Sequence, residues 1–387
     1  MRRLVVFACV VVFVDTMFYA AITPLLPSLS DQYDLSKTAA GVLAAAYPAG
    51  TLVGALPGGW LAARWGVRPT VLLGLALLVA ASVAFAFASS VVVLDVARFF
   101  QGIGGAATWA ASLGWLIGAA PRAQRGQLIG TALAAAVAGA LFGPVLGAAA
   151  DGIGQKPVFG AVGGFGIVLM VWALRMPAAQ PGTATPLKTL LWSLMDRRVA
   201  AGMWLTTLPS VLFGTVSVLG PLRMDELGAG TVAIAAAFLG AAALEAIAAP
   251  LMGRLSDRRG RLVPSVIGVA AGGVAMALIP WPSTAWALGA LIVLAGPAIG
   301  ILYTPAMAML SDSAERFGVA QGFAFGFVNL AWAAGQTVGD AGSARLADAV
   351  GDRVPYLILA GACAVTLAFL VRELARRPPR RALASRP

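Results

Sequence analysis

Four charged residues lie well inside long apolar stretches of this chain: Asp15, Arg98, Glu245 and Asp340. Each charge costs on the order of 3 kcal/mol at the middle of a bilayer, so such side chains normally face a cavity or a partner. One alternative is a fixed ion pair between Arg98 and an acid, which would only join helices. Three acids cannot all be neutralised by one base, however. We therefore expect at least one acid to be protonated in some states, as a proton carrier requires.

Two of these acids have sequence surroundings that indicate a role. Tyr19 follows Asp15 by four residues and shares its helical face. A carboxylate beside an aromatic ring suits a lipophilic cation, through charge and cation–π attraction. The alternative is that Tyr19 only forms a hydrogen bond with Asp15. Glu245 has no other charge near it in sequence, which makes it a candidate proton site; the alternative is an acid that reaches toward a membrane face.

A third acid shares a predicted helix with other polar residues. Spacings of seven and four place Asn329, Gln336 and Asp340 on one stripe, with Trp332 near the same face. The alternative is polar contact between helices. The predicted substrate-binding residues are Asp15, Tyr19, Asn329, Trp332 and Gln336. The predicted proton-coupling residues are Asp15, Arg98, Glu245 and Asp340.

The elements that position these residues are predicted to be membrane-spanning helices. The 387 residues are 60% hydrophobic and 11% charged, far less charged than a soluble domain. Twelve stretches are long and apolar enough to span a bilayer, and a Pro- and Gly-containing polar stretch divides six of them from the other six. We therefore predict an all-α membrane protein of two six-helix bundles at 1–176 and 199–374, a cytoplasmic linker at 177–198 and a basic tail at 375–387.

Charge and composition narrow the function. The formal net charge is +11, and with alternating spans most of the 27 basic residues fall on the side of the two termini. The positive-inside rule makes that side cytoplasmic. Nucleic-acid binding is disfavoured because the arginines are spread over many short loops. The chain has no histidine, the commonest metal ligand and proton carrier, and both cysteines fall within spans. We expect no metal, no cofactor, no nucleic-acid partner and no enzymatic activity.

Two motifs repeat at nearly the same offset. One is a glycine pattern that occurs 196 residues apart, at Gly130, Gly139, Gly143-Pro144, Gly147 and again at Gly326, Gly335, Gly339-Asp340. The other is a basic loop, at residues 59–68 and again at 253–261. The repeats indicate an internal duplication, and symmetric halves suggest alternating access with a site at their interface. The second glycine copy carries an acid where the first carries a proline.

These motifs resemble those of the major facilitator superfamily. Both loops are similar to its signature loop, and the segment 94–102 is similar to its fourth-helix motif. Gly130 to Gly147 resembles the helix-packing motif of its drug:proton antiporters, and residues 15–27 are similar to the first helix of the vesicular amine transporter branch. Two positions depart from the family: Ala63 replaces an acid that helps to latch the two halves, and Ala148 replaces a glycine. The resemblance assigns a conformational gate to Gly59, Arg64, Gly66, Arg68, Gly253, Asp257, Arg258 and Gly260.

The resemblance implies a twelve-helix secondary transporter, a monomer in a bacterial inner membrane with both termini in the cytoplasm. We expect it to export a small, amphipathic, cationic organic compound in exchange for protons, with the proton gradient as its energy source. Its partners would be the substrate, protons and lipid. The alternative is a proton-coupled importer or facilitator of a sugar or other neutral metabolite, which Asn329, Gln336 and the tryptophans Trp109, Trp115 and Trp332 would also suit.

Overall fold

The computed structural model of the protein describes residues 2–119, 125–176, 195–316 and 321–376, and all regular structure in these ranges is helical. The predicted all-α fold is therefore confirmed. Most of the predicted linker at 177–198 and of the basic tail at 375–387 lies outside the described residues.

The helices are α1 Arg2–Ala20, α2 Ile22–Tyr33, α3 Lys37–Arg64, α4 Val67–Ala86, α5 Val91–Ala119, α6 Arg125–Ile153, α7 Gln155–Leu174, α8 Arg197–Glu226, α9 Thr231–Arg259, α10 Leu262–Leu278, α11 Ala285–Gly300, α12 Tyr303–Arg316, α13 Gln321–Thr337, α14 Ser343–Val350 and α15 Arg353–Ala375. A π-turn, Val338–Gly342, joins α13 to α14. Within the described ranges, ten helical segments are long and apolar enough to cross a membrane, with α1–α2 and α11–α12 each counted as one; α10 is apolar but shorter.

Local sequence explains where several helices begin. The Ser36 hydroxyl accepts a hydrogen bond from the Ala39 N–H and so caps α3, and the Asp196 carboxylate accepts from two N–H groups of the first turn of α8. Gly66 and Gly260 occupy the same place in the two repeated loops, between α3 and α4 and between α9 and α10. Their φ angles are 93° and 85°, a backbone conformation that favours glycine.

The repeated glycines let helices approach closely. On α6, side chains at Gly139 and Gly143 would overlap the main chain or side chains of α1, and one at Gly147 would overlap the Ala21 carbonyl. On α13 and the π-turn, Gly335 and Gly339 make the corresponding close contact with α8. The first glycine of each copy, Gly130 or Gly326, has no such neighbour. Pro144 lies inside α6, one residue after Gly143.

The apolar core consists of two main clusters. Almost all of the larger cluster comes from residues 4–176, and the other comes from residues 205–370. Helices from the two parts also contact one another: α3 packs on α13, the π-turn and α14, α6 packs on α9, and α2 packs on α8. Tyr19 from the first part and Trp332 from the second part meet at this boundary.

Candidate functional site

Three aromatic rings meet across the boundary between the two parts of the chain. Tyr19 on α1 and Tyr47 on α3 have ring centroids 4.8 Å apart. Trp332 on α13 packs edge-on against both, at 5.4 Å from Tyr19 and 6.4 Å from Tyr47. Tyr19 and Trp332 remain partly accessible although they lie within the helical bundle. The rings therefore offer apolar faces to a small molecule that enters between the two parts.

Asp15 lies beside this aromatic cluster and is fully buried. Its Oδ2 accepts a hydrogen bond from the Tyr47 hydroxyl at 2.8 Å and another from the Trp109 indole N–H at 3.1 Å. Its Oδ1 has no partner. Gly105 of α5 leaves the space for the carboxylate, because a Cβ there would approach both Asp15 oxygens within 3.0 Å. The hydrogen bond considered between Tyr19 and Asp15 is absent among the described residues, and Tyr47 takes that place.

Arg98 lies next to the same rings and is 1% exposed. It donates to the Gln101 side-chain oxygen at 2.9 Å and to the main-chain carbonyls of Phe18 and Tyr19 at 3.3 and 3.2 Å. Its guanidinium carbon lies 5.2 Å from the centroid of the Tyr47 ring, within cation–π range. No salt bridge joins it to a carboxylate in the described part of the chain. The fixed ion pair considered from the sequence is therefore not formed in this conformation.

Asp340 lies in the π-turn, on the other side of the boundary, and is 1% exposed. Its Oδ1 accepts hydrogen bonds from the Gln336 amide at 3.0 Å and from the Ser217 hydroxyl of α8 at 3.2 Å. Single π-turns inside helices occur frequently at functional sites. Gln336 and Asp340 thus share a face, as their spacing predicts. Asn329 lies two turns earlier on α13 and is half-buried.

Glu245 has different neighbours. It lies on α9, and its carboxyl group packs directly on Gly300, the last residue of α11. No described hydrogen bond or salt bridge joins it to Asp15, Arg98 or Asp340. The four predicted proton-coupling residues therefore do not form a single cluster: three lie around the aromatic rings, and Glu245 lies within the second part of the chain.

The site contains residues that the sequence did not single out for it. Tyr47 and Trp109 bind Asp15, Gln101 binds Arg98, and Ser217 binds Asp340. Gln101 belongs to the fourth-helix motif, and Trp109 had been considered only for a neutral substrate. Tyr47 is one of five tyrosines in the chain, but only the packing of α3 on α1 and α5 brings it to Asp15.

A polar cluster joins the two parts at one end of the bundle. The Lys37 ammonium lies 2.7 Å from Asp352 Oδ2 and 3.0 Å from Glu226 Oε1, and Arg223 lies 2.9 Å from the other Glu226 oxygen. We refer to Lys37, Arg223, Glu226 and Asp352 as the Lys37 cluster. It connects the start of α3 to the end of α8 and to the turn before α15.

Beside the Lys37 cluster, Asp348 binds the first turn of α3. It accepts hydrogen bonds from the Thr38 N–H, at 2.7 Å, and from the Thr38 hydroxyl. Burial alone would raise the pKa of Asp348, but these donors and the nearby Lys37 charge together hold that pKa below its usual value. The contact is thus favourable only while the carboxyl group is ionised.

In the first repeated loop, the predicted gate residues have different surroundings. Gly59 is exposed and has no neighbour, whereas the preceding Gly58 packs on Ala107 of α5. Arg64 lies over the ring of Trp60, with 5.5 Å from its guanidinium carbon to the ring centroid. Arg68 donates to the main-chain carbonyl of Leu174, at the end of α7.

In the second loop, no salt bridge joins Asp257 to the neighbouring Arg258 among the described residues. Asp257 instead pairs with Arg261 at 2.9 Å, one helical turn away, and Arg261 also reaches Asp312 of α12 at 3.5 Å. Gly253 lies on α9 opposite Thr304 of α12. The acid in this loop therefore orders the turn between α9 and α10 through Arg261.

Long apolar helices with buried charges at an internal boundary are typical of multi-pass membrane proteins. The family model described as Major Facilitator Superfamily matches residues 8–335, and the chain belongs to that superfamily. The predicted superfamily is thereby confirmed.

Curated relatives match a shorter segment. The "MFS-type transporter ppzB" of Metarhizium rileyi is 33% identical over 127 residues, 32% of this chain and 26% of the relative. The protein of the same name from Metarhizium majus is 33% identical over 128 residues, 32% of this chain and 28% of the relative. The "Uncharacterized MFS-type transporter C18.02" of Schizosaccharomyces pombe is 33% identical over 114 residues, 28% of this chain and 25% of the relative. The matched segment spans about a quarter of each relative's length.

Among solved structures, the fold is similar to that in "Crystal structure of D-xylose-proton symporter". The TM-score is 0.74 over 94% of this chain and 96% of that chain, at 16% sequence identity. At this identity the similarity shows the fold alone.

Proposed function

We propose that this transporter exports a small, amphipathic, cationic organic compound in exchange for protons. Drug:proton antiporters, whose helix-packing motif the segment from Gly130 to Gly147 resembles, work in this way. The observation that carries the proposal is the pair of buried carboxylates Asp15 and Asp340. They come from the two parts of the chain, lie around the same aromatic cluster, and have no basic side chain in salt-bridge contact among the described residues. A cation between Tyr19, Tyr47 and Trp332 would supply the missing charge.

Charge competition would provide the coupling. A carboxylate that binds the cation cannot bind a proton at the same time, so protonation of Asp15 or Asp340 displaces the substrate. Arg98 lies close enough to bias this competition without forming a fixed ion pair. The membrane potential would contribute about 2.3 kcal/mol per charge moved per 100 mV.

The proposed architecture has twelve spans in two six-helix bundles, with both termini in the cytoplasm of a bacterium and the protein acting as a monomer. Two features support twelve spans: α10 is a shorter apolar helix, and α13 with α14 continues through the π-turn. In this orientation the Lys37 cluster lies on the outer face. It would hold the two bundles together there while the substrate site opens to the cytoplasm, as alternating access requires.

Proteoliposomes with a trapped pH indicator test this function. A pulse of a lipophilic cation such as tetraphenylphosphonium should move protons in the opposite direction. Asp340→Asn should abolish that movement and keep part of the cation binding. Asp95→Asn is the matched control, because Asp95 is another half-buried membrane acid, on α5 and outside the site. Normal proton movement in the Asp340→Asn protein would remove Asp340 from the coupling mechanism.

The second candidate is proton-coupled uptake or facilitated passage of a sugar or other neutral metabolite. The Gln101 amide nitrogen and the Gln336 amide oxygen are buried without partners, and Gln336 follows Trp332 by one helical turn. Free amide groups next to an indole ring suit the hydroxyl groups of a sugar. Counterflow of labelled pentoses and of labelled cations in the same vesicles distinguishes the two functions.

A further inference from the structure

One membrane helix is interrupted within its apolar length. α11 ends at Gly300 and α12 begins at Tyr303, and the two residues between them are buried. The Leu302 N–H donates to the Ile299 carbonyl at 3.2 Å, a tighter turn than that of an α-helix. The Ile301 carbonyl lacks its usual donor four residues later, because residue 305 is proline. No other described hydrogen bond reaches it, and an unpaired carbonyl is costly in a membrane.

The Glu245 carboxyl group lies directly against this interruption. A Cβ on Gly300 would overlap the carboxyl group of Glu245, so a larger residue there would displace that group from its present position. Glu245 is partly accessible, and its carboxyl group contacts the main chain at the end of α11. None of the described hydrogen bonds reaches this carboxyl group, including any from the first N–H groups of α12. A carboxylate at the C-terminal end of α11 also meets the negative end of the helix dipole, which is unfavourable without a cation.

The surrounding helices supply no such cation. α10 and α11 have no ionisable residue, and the Tyr303 hydroxyl of α12 is 3.0 Å from the Ser210 hydroxyl. The other helices that contact α9 carry their charged residues near their ends. These residues are Asp31 on α2, Arg125 and Asp151 on α6, Arg197, Arg198, Arg223, Asp225 and Glu226 on α8, and Asp312, Glu315 and Arg316 on α12. The charged residues of α9 itself, from Arg254 to Arg259, also lie at its end.

We propose that Glu245 and the interruption between α11 and α12 form a binding site for a small monovalent metal cation of the size of sodium. The Glu245 carboxylate and the Ile301 carbonyl are its ligands, and the C-terminal end of α11 points negative charge at it. Unwound main chain and half-helix ends bind coupling ions in this way in transporters with broken helices. A proton competes with the metal ion for the same carboxylate.

The charge of the site favours a monovalent over a divalent ion. One carboxylate balances one positive charge, whereas divalent ions usually require several anionic ligands. The described residues contain no group of three acidic, cysteine or histidine side chains that could hold a metal ion. The site is also separate from Asp15 and Asp340, so a metal ion at Glu245 and an organic cation at the aromatic cluster can be present together.

Thermal unfolding of the purified full chain in detergent tests this site. Unfolding is followed at alkaline pH with increasing NaCl, and choline chloride keeps the ionic strength constant. Sodium should raise Tm along a saturating curve. When the sodium concentration is ten times its dissociation constant, the ratio of folded to unfolded protein should be about 11-fold higher than without sodium. Glu245→Gln should abolish the rise and Gly300→Ala should weaken it, whereas the matched membrane acid variant Asp95→Asn should keep it.

Two results would overturn the site: no sodium effect in the parent protein, or an equal effect in Glu245→Gln. If that variant does not fold, the parent protein alone can test the site. Because a proton competes for the same carboxylate, the sodium concentration that gives half of the rise in Tm must increase as the pH falls. If that concentration is independent of pH, binding at a carboxylate is contradicted. Since the readout is binding and not transport, its failure leaves the proposed export of cations untouched.

Discussion

Replacing Lys37 should open the end of the molecule where the Lys37 cluster joins the two parts of the chain. Lys37 makes two ion pairs between these parts, and the side chains of Lys37, Glu226 and Asp352 are 27%, 40% and 30% exposed. Partly exposed pairs contribute up to about 1 kcal/mol each. Lys37→Gln should therefore shift the equilibrium toward the state that is open at this end by about 1–2 kcal/mol, a factor of roughly 5–30.

Spin labels at two exposed positions, one in each part of the chain, measure that shift. Phe87 at the end of α4 and Trp286 at the start of α11 are 65% and 78% exposed. In a background without the native cysteines, Lys37→Gln should add a longer distance between the labels. Arg223→Gln is the matched control, because the pair of Arg223 with Glu226 lies within α8 alone. Identical distance distributions for Lys37→Gln and its parent would refute the role of the cluster.

Three further predictions concern single contacts. Gly143→Val places a side chain against α1 and should lower the free energy of unfolding by about 1–3 kcal/mol. Gly130→Ala should not lower it, because Gly130 has open space around it. Denaturation in detergent measures the free energy of unfolding of both variants. Tyr47→Phe removes one of two donors to Asp15 and should cost about 1–3 kcal/mol in the same assay; an unchanged stability would mean that another donor replaces it. Asp348→Asn should lower Tm near neutral pH. Because the pKa of Asp348 is depressed in the folded protein, the difference in Tm between variant and parent should vanish as the pH falls through that pKa. A difference in Tm that persists at acidic pH would contradict the assigned hydrogen bonds.

Much of the fold follows from the sequence because the bilayer restricts it so strongly. Apolar length predicts helices, and glycines spaced by four residues predict the close approach of α6 to α1. The stripe of Gln336 and Asp340 is also predictable, since both lie on one helix and spacing alone decides which residues share a face.

The contacts of the site could not be predicted in the same way. Tyr47 reaches Asp15 only because α3, α1 and α5 pack together, and no local pattern encodes that meeting. A fixed ion pair between Arg98 and an acid was one alternative from the sequence, but its two terminal nitrogens donate to main-chain carbonyls and to Gln101, and its Nε has no partner in the described part of the chain. The location of Glu245 had a signal that was not used: Gly300 and Pro305 flank the point where the helix is interrupted, and glycine and proline are the residues that permit an interruption.

Proton release upon cation binding tests the central claim most directly. Purified protein in weakly buffered detergent solution is titrated with tetraphenylphosphonium, and pH and bound cation are measured together. We predict that binding releases protons and that Asp15→Asn and Asp340→Asn each reduce this release, whereas Asp95→Asn does not. Saturable cation binding without proton release, or with equal release in all three variants, would contradict a site in which the cation and the proton compete for Asp15 and Asp340.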